Sequence, residues 1–280
     1  MNIKITADST CDLPASLLQR HDISLLPLYV NLGSRCLRDT IEVTPDDIYA
    51  YVAGGGAMCS TSAGNISDYL ELFAPLVKQY DAVIHISLGA EFSSSYQNAC
   101  LAAQNFANVY VVDSRNLCVG QGHIVLRCAE LIGSGKDAAS IVEELKLYTE
   151  KVDSSFILSQ LEYLKKGGRC SSVVALGANL LNLKPCIEVV DGQMKVGKKY
   201  RGAFEKCMEQ FIRDRLADPS TVDTNRICIA HSGLDDETMA LAKKVVTECV
   251  DSGEIFTARA GCTISSHCGP GTFGFLIVRK

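Results

Sequence analysis

From Ile3 to Val152, short β-branched runs such as IKITA, AVIHIS and VYVVD alternate with longer segments of helical periodicity, and this alternation constrains the fold more than any other feature. Adjacent parallel strands cannot be joined by a tight turn; they need a crossover, which a helix supplies. The first half therefore reads as a largely parallel sheet flanked by helices. Helix starts are marked in places. Thr44 precedes Pro45 with two acids in the first turn, and glycines 54–56 close that helix. Asn65 stands three residues before Asp68, close to a capping box. Asp12 and Pro14 are read as the start of an earlier helix, and ISLLPLYVNL as one second strand. Further helices are expected over 66–80, 94–107 and 120–134, and a last one in DAASIVEELKLYTEKV.

The second half is less regular. Asp191-Gly192 lies between two β-patterned arms, a hairpin signal, and helices are expected over 203–216 and 235–250 between strands RICIAHSG, EIFTARAG and TFGFLIVRK. The expected fold class is α/β with two α/β domains. Residues 1–152 would form an N-terminal domain with a largely parallel sheet flanked by helices. Residues 153–280 would form a C-terminal domain with a mixed sheet and helices.

Composition excludes several function classes. With 47% hydrophobic and 21% charged residues, the 280-residue chain has the profile of a folded protein. Its net charge of -5 argues against sequence-independent nucleic-acid binding, which needs a basic face to neutralise phosphates. The opening MNIKITADST lacks the apolar run of a signal peptide, so a cytoplasmic location is expected. No apolar run is long enough to span a bilayer, which leaves transient membrane contact. Thirteen cysteines, an odd number without any C-x-x-C spacing, read as reduced thiols rather than disulfides or a metal site. No metal and no cofactor is expected.

Chemistry is sought where strands hand over to helices, because ligands of open α/β sheets bind there. HISLGAEFSSSYQNA places Ser93, Ser94 and Ser95 at such a junction, and one cap would not require three hydroxyls. Asp8 and Ser9 follow the first strand, and Thr61 and Ser62 precede another helix. His267 stands in the glycine-rich GCTISSHCGPGTFG, read as a loop with access to a cleft. The basic LKKGGR reads as a helix end matched to the macrodipole, or as a contact surface. VVALGANLLNL, with Ala175, Gly177 and Ala178, is either plain core or the lining of a pocket for something long and apolar.

Seven stretches in order, ITADSTCDLP, STSAGN, ISLGAEFSSSYQNA, VVDSRNLCVGQG, LEYLKKGGRCSS, LLNLKPCIEVVDGQMKVGKKYRG and SSHCGPGTFG, together resemble the DegV family, whose members bind fatty acids. The resemblance implies two α/β domains, a buried acyl chain and no catalytic centre. It places Thr61 at the threonine of the family's T-S-x-P-S motif, Ser93 at the serine of S-G-T-Y-Q, and His267 at the histidine of T-H-x-G-P-G. Thr61, Ser62, Ser93 and His267 are then the expected ligand-binding residues. Gly64-Asn65 and Ser94-Ser95 depart from the family pattern, and Ser266 stands where threonine is usual. The ligand implied is a long-chain fatty acid, presented to a partner fatty acid kinase that makes an acyl phosphate. Arg169 and Arg201 are the expected partner-binding residues. A lipid sensor would use the same pocket. The alternative from another class is a serine-dependent acyl ester hydrolase using Ser93 and His267, which needs the histidine within reach of the serine hydroxyl.

Overall fold

A computed structural model of the chain describes residues 1–174 and 183–280. The elements of the first half are β1 (Ile3–Asp8), α1 (Ala15–Arg20), β2 (Ile23–Leu26), β3 (Tyr29–Leu32), β4 (Arg35–Arg38), α2 (Pro45–Ala53), β5 (Ser60–Ser62), α3 (Ile66–Leu76), β6 (Ala82–Ser87), α4 (Ser95–Ala103), β7 (Val109–Asp113), α5 (Cys118–Gly133) and α6 (Ala138–Thr149). Then follow β8 (Val152–Ile157), α7 (Glu162–Gly167), α8 (Ser171–Val174), β9 (Leu183–Val190), β10 (Gln193–Arg201), α9 (Phe204–Arg215), β11 (Arg226–Ser232), α10 (Asp236–Cys249), β12 (Glu254–Arg259), α11 (Cys262–Cys268) and β13 (Thr272–Val278).

Three sheets result. The first is parallel, in the order β2-β1-β6-β7. A mixed six-stranded sheet runs β10-β9-β8-β13-β11-β12, antiparallel except for its β11/β12 edge. The fold class is thus α/β, with one parallel and one mixed sheet flanked by helices. The third sheet, β4-β3-β5, is small, antiparallel and was not expected. It exists because ISLLPLYVNL is two strands. Pro27 has no N–H to give to a ladder, and the chain leaves the parallel sheet there. The capping signals of α2 and α3 are realised, with Thr44/Asp47 and Asn65/Asp68 exchanging side-chain and backbone hydrogen bonds. So is the hairpin: Asp191 and Gly192 both take positive φ, 55° and 78°. Asp12 does not start α1. It adopts φ 49°, and its carboxylate goes instead to Gly261 N.

Helix α5 is the keystone, and its sequence shows why. Residues 118–126 are all buried, as expected of a helix packed between two sheets. Gln121 Nε2 donates to Ile86 O of the parallel sheet at 3.0 Å, and two residues on His123 meets Leu276 O of the mixed sheet at 3.1 Å. A carbonyl can only accept, so His123 carries its proton on Nε2. Burial holds its pKa down to about 4, and the ring is neutral.

Strand alternation gives the mixed sheet two faces. Ile157, Ile227, Ile229, Phe273, Phe275 and Ile277 pack outward against α9 and α10 around Phe211. Ser154, Phe156, Ala230, Gly274 and Leu276 face inward, toward the start of α5. Between that inner face and the elements opposite lies a cavity. The thirteen cysteines are free thiols, nine of them buried as small apolar residues. Among the described residues no helix is long and apolar enough to cross a membrane.

Candidate functional site

The cavity holds about 930 Å³ of atom-free space, its mouth included. Leu28, Leu88, Phe92, Leu117, Phe156 and Leu276 contribute to an apolar wall. The sequence stretch suspected of lining such a pocket, with Ala175, Gly177 and Ala178, lies outside the described residues.

Polar groups gather at one end. Thr61 sits on β5, an edge strand of the small sheet rather than a parallel-strand terminus. His267 sits on α11, a helix of seven residues, where a glycine-rich loop was expected. The flanking Gly261 and Gly269 bound that helix instead of dissolving it, Gly269 ending it at φ 73°. Thr61 Oγ1 and His267 Nε2 are 2.7 Å apart although 206 residues separate them in sequence. His267 Nδ1 is buried without a partner and faces Gly167, where any Cβ would collide with it. A proton there would be an orphaned donor, so the proton belongs on Nε2, and His267 donates to Thr61. The Thr61 hydroxyl is then free to donate into the cavity. Burial, with the Arg169 guanidinium nearby, lowers the His267 pKa to about 4. At neutral pH the imidazole is an uncharged donor.

Ser93 lines the same end. Its Oγ accepts from Ser95 N at 3.2 Å and lies 2.9 Å from Ser95 Oγ. Ser62 borders the cavity too, with its hydroxyl taken by Asn31 Nδ2 at 3.1 Å. Arg169 reaches the rim: its Nε donates to Phe92 O at 3.3 Å and its Nη1 to Gly167 O at 2.8 Å. It therefore bridges the residue before Ser93 and the residue against His267. Arg201 is elsewhere, exposed at the end of β10. The Ser93–His267 pair expected of an ester hydrolase is not joined. His267 Nε2 is engaged by Thr61, and among the described residues no hydrogen bond joins His267 to Ser93.

Buried acids hold this end in shape; in the sequence Asp8 reads as a strand-end candidate and Asp12 as a helix start, whereas Asp39 carries no signal. Asp8 Oδ2 accepts from Ser87 Oγ at 2.7 Å and from Leu88 N at 2.8 Å, fixing the segment that leads to Ser93. Asp8 Oδ1 accepts from Tyr69 OH at 2.7 Å and lies 3.3 Å from His85 Nε2. Burial alone would raise the Asp8 pKa, but His85 and these donors outweigh it and hold it down. Asp39 accepts from Cys262 N at 2.8 Å and Thr263 N at 3.3 Å, and Asp12 from Gly261 N at 2.9 Å. Three backbone donors at the start of the His267 helix are thus met by acids from the first half of the chain. Burial, with the Asp39 carboxylate close by, pushes the Asp12 pKa up to about 8.

The family model described as "Uncharacterised protein, DegV family" matches residues 2–280. The chain belongs to the DegV family. A DegV domain-containing protein of Clostridium perfringens is 30% identical over 270 residues, covering 96% of this chain and 95% of the relative. A solved DegV-family protein from Thermus thermophilus, described as binding fatty acid, is 32% identical with a TM-score of 0.92 over all of both chains. A stearic acid-binding protein from Eubacterium ventriosum is 26% identical with a TM-score of 0.87, over 99% of this chain and 98% of that one. DegV-family structures thus bind fatty acids in the same architecture.

Proposed function

We propose that this DegV-family chain binds a long-chain fatty acid, its tail in the apolar cavity and its carboxyl group between Thr61 and Ser93. The observation that supports this best is the hydroxyl pair on the wall of a mostly apolar cavity, backed by a neutral His267. An acid withdrawn from water needs hydrogen-bond donors or it protonates, and hydroxyls supply them without a strongly hydrated lysine. Each methylene buried contributes about 0.8 kcal/mol, so the tail dominates affinity. Ser62 serves as a neighbour that shapes the mouth. Residues 1–152 supply the hydroxyls, and 153–280 supply the inner sheet face and His267.

The chain acts as a carrier without catalysis of its own, and presents the carboxyl group to a fatty acid kinase in the cytoplasm. Arg169 on the rim and Arg201 on the surface are the partner-facing cations. Denaturing extraction of the purified protein followed by mass spectrometry tests the ligand class: a long-chain fatty acid is expected. Finding no lipid, together with no thermal shift on adding fatty acids, contradicts the reading. Arg201→Ala should retain lipid but slow acyl-phosphate formation with a kinase from the same organism, with altered salt dependence. Unimpaired phosphorylation across salt concentrations removes Arg201 from this role.

A further inference from the structure

The two head-group hydroxyls, Thr61 and Ser93, are not equivalent, because they send their protons in different directions. Thr61 accepts from His267, which leaves its own proton for the cavity. Ser93 is tied to Ser95 instead. Ser95 opens α4, is fully buried, and places its Oγ 2.9 Å from Ser93 Oγ. Behind Ser95 stands Tyr69 of α3, also fully buried, whose OH is hydrogen-bonded both to Ser95 and, at 2.7 Å, to Asp8 Oδ1.

Counting donors places the protons along this chain of groups. Asp8 is ionised despite its burial, held so by His85, Ser87 and Leu88 N, and an ionised carboxylate only accepts. The Tyr69 proton therefore goes to Asp8, and the Ser95 proton goes to the Tyr69 oxygen. Only Ser93 then has a proton for its contact with Ser95. What Ser93 offers the cavity is a lone pair, while Thr61 offers a proton. One acceptor beside one donor complements a carboxylic acid, whose O–H donates and whose carbonyl accepts; a carboxylate only accepts, at both oxygens.

We infer that Ser95 is a positioning residue: held by Tyr69 and Asp8, it turns the Ser93 proton away from the cavity, and the site takes the fatty acid in its protonated form. The inference rests on the reading that the cavity holds a fatty acid. The surrounding charges leave room for a neutral head group. Among the described residues the titratable groups lining the cavity are Cys118, Arg169, His231, His267 and Cys268. Burial keeps the two thiols protonated and the two imidazoles neutral. Arg169 is the one cation of this set and is engaged by Phe92 O and Gly167 O, while the ionised Asp8 opposes it through Tyr69 and Ser95. A free carboxyl group ionises well below pH 7, so a protonated head group at neutral pH is a signature of the site.

The test loads delipidated protein with stearic acid carrying carbon-13 at its carboxyl carbon, whose resonance differs between the protonated and ionised forms, and follows it from pH 6 to pH 8. In wild type the bound resonance is expected at the protonated position throughout. Ser95→Ala frees the Ser93 hydroxyl to donate, so the resonance should shift to the carboxylate position. Tyr69→Phe removes the acceptor of the Ser95 proton and is expected to act in the same direction, which covers an alanine variant that fails to fold. A carboxylate resonance in wild type, or a protonated one that persists in a folded variant, overturns the role of Ser95 while the fatty acid still binds. If no bound resonance appears, the fatty-acid reading falls and the inference with it.

Discussion

Gly167 governs His267 without touching a ligand. Any side chain at 167 would collide with Nδ1, so Gly167→Ala should displace the imidazole from Thr61. Ligand retention should fall while thermal unfolding of the ligand-free protein changes little; retention equal to wild type would refute this placement. Thr61→Ala, Ser93→Ala and His267→Ala should each weaken fatty-acid affinity by about 1.5–3 kcal/mol, measured by titration of delipidated protein. Asp12 gives a pH prediction. Its pKa rises from 3.8 to about 8 on folding, so the folded state holds a proton that the unfolded state has released. Stability contributed at low pH is therefore lost as pH rises from about 4 to about 8, by up to about 1.4 kcal/mol per unit. Asp12→Asn should flatten that slope in urea unfolding at pH 5 and pH 8; equal slopes would contradict a proton on Asp12. That Thr61, Ser62, Ser93 and His267 border one cavity could be read from motifs. Gly167 and Asp12 could not, because their roles depend on partners 100 and 249 residues away in sequence.

Among the elements, those with local signals were legible and those made by long-range pairing were not. Thr44 and Asn65 announced α2 and α3, and Asp191-Gly192 announced the β9–β10 turn, because caps and turns are written within a few residues. Reading ISLLPLYVNL as one strand missed the small sheet. Its strands pair residues such as Val30 and Thr61, and only that pairing gives β5 its form. The glycines around His267 read as a loop in the sequence, yet the helix is held by Asp39 and Asp12, far upstream. Helix α9 offers a packing test. Phe211 is fully buried against Phe273 and Phe275, with ring centroids 6.1 and 6.5 Å away. Phe211→Ala should cost about 3–5 kcal/mol in chemical denaturation, whereas a change below about 1 kcal/mol would show that this face is not the core it looks.

The molecule as a whole places one cavity between a mixed sheet and the elements that face it across α5. That helix is tied to the parallel sheet by Gln121 and to the mixed sheet by His123. The two sheets were foreseeable from the alternating first half and the hairpin-bearing second half. Their junction was not, since the burial of residues 118–126 of α5 on all sides emerges only when both sheets are present. The central claim is that the cavity recognises an acid by its carboxyl group and a chain by its length of hydrocarbon. It is tested most directly by titrating delipidated protein with stearic acid and with methyl stearate. Saturable one-to-one binding of the acid, with the ester markedly weaker, is the predicted result. No saturable binding of the acid, or an ester that binds equally well, would contradict it.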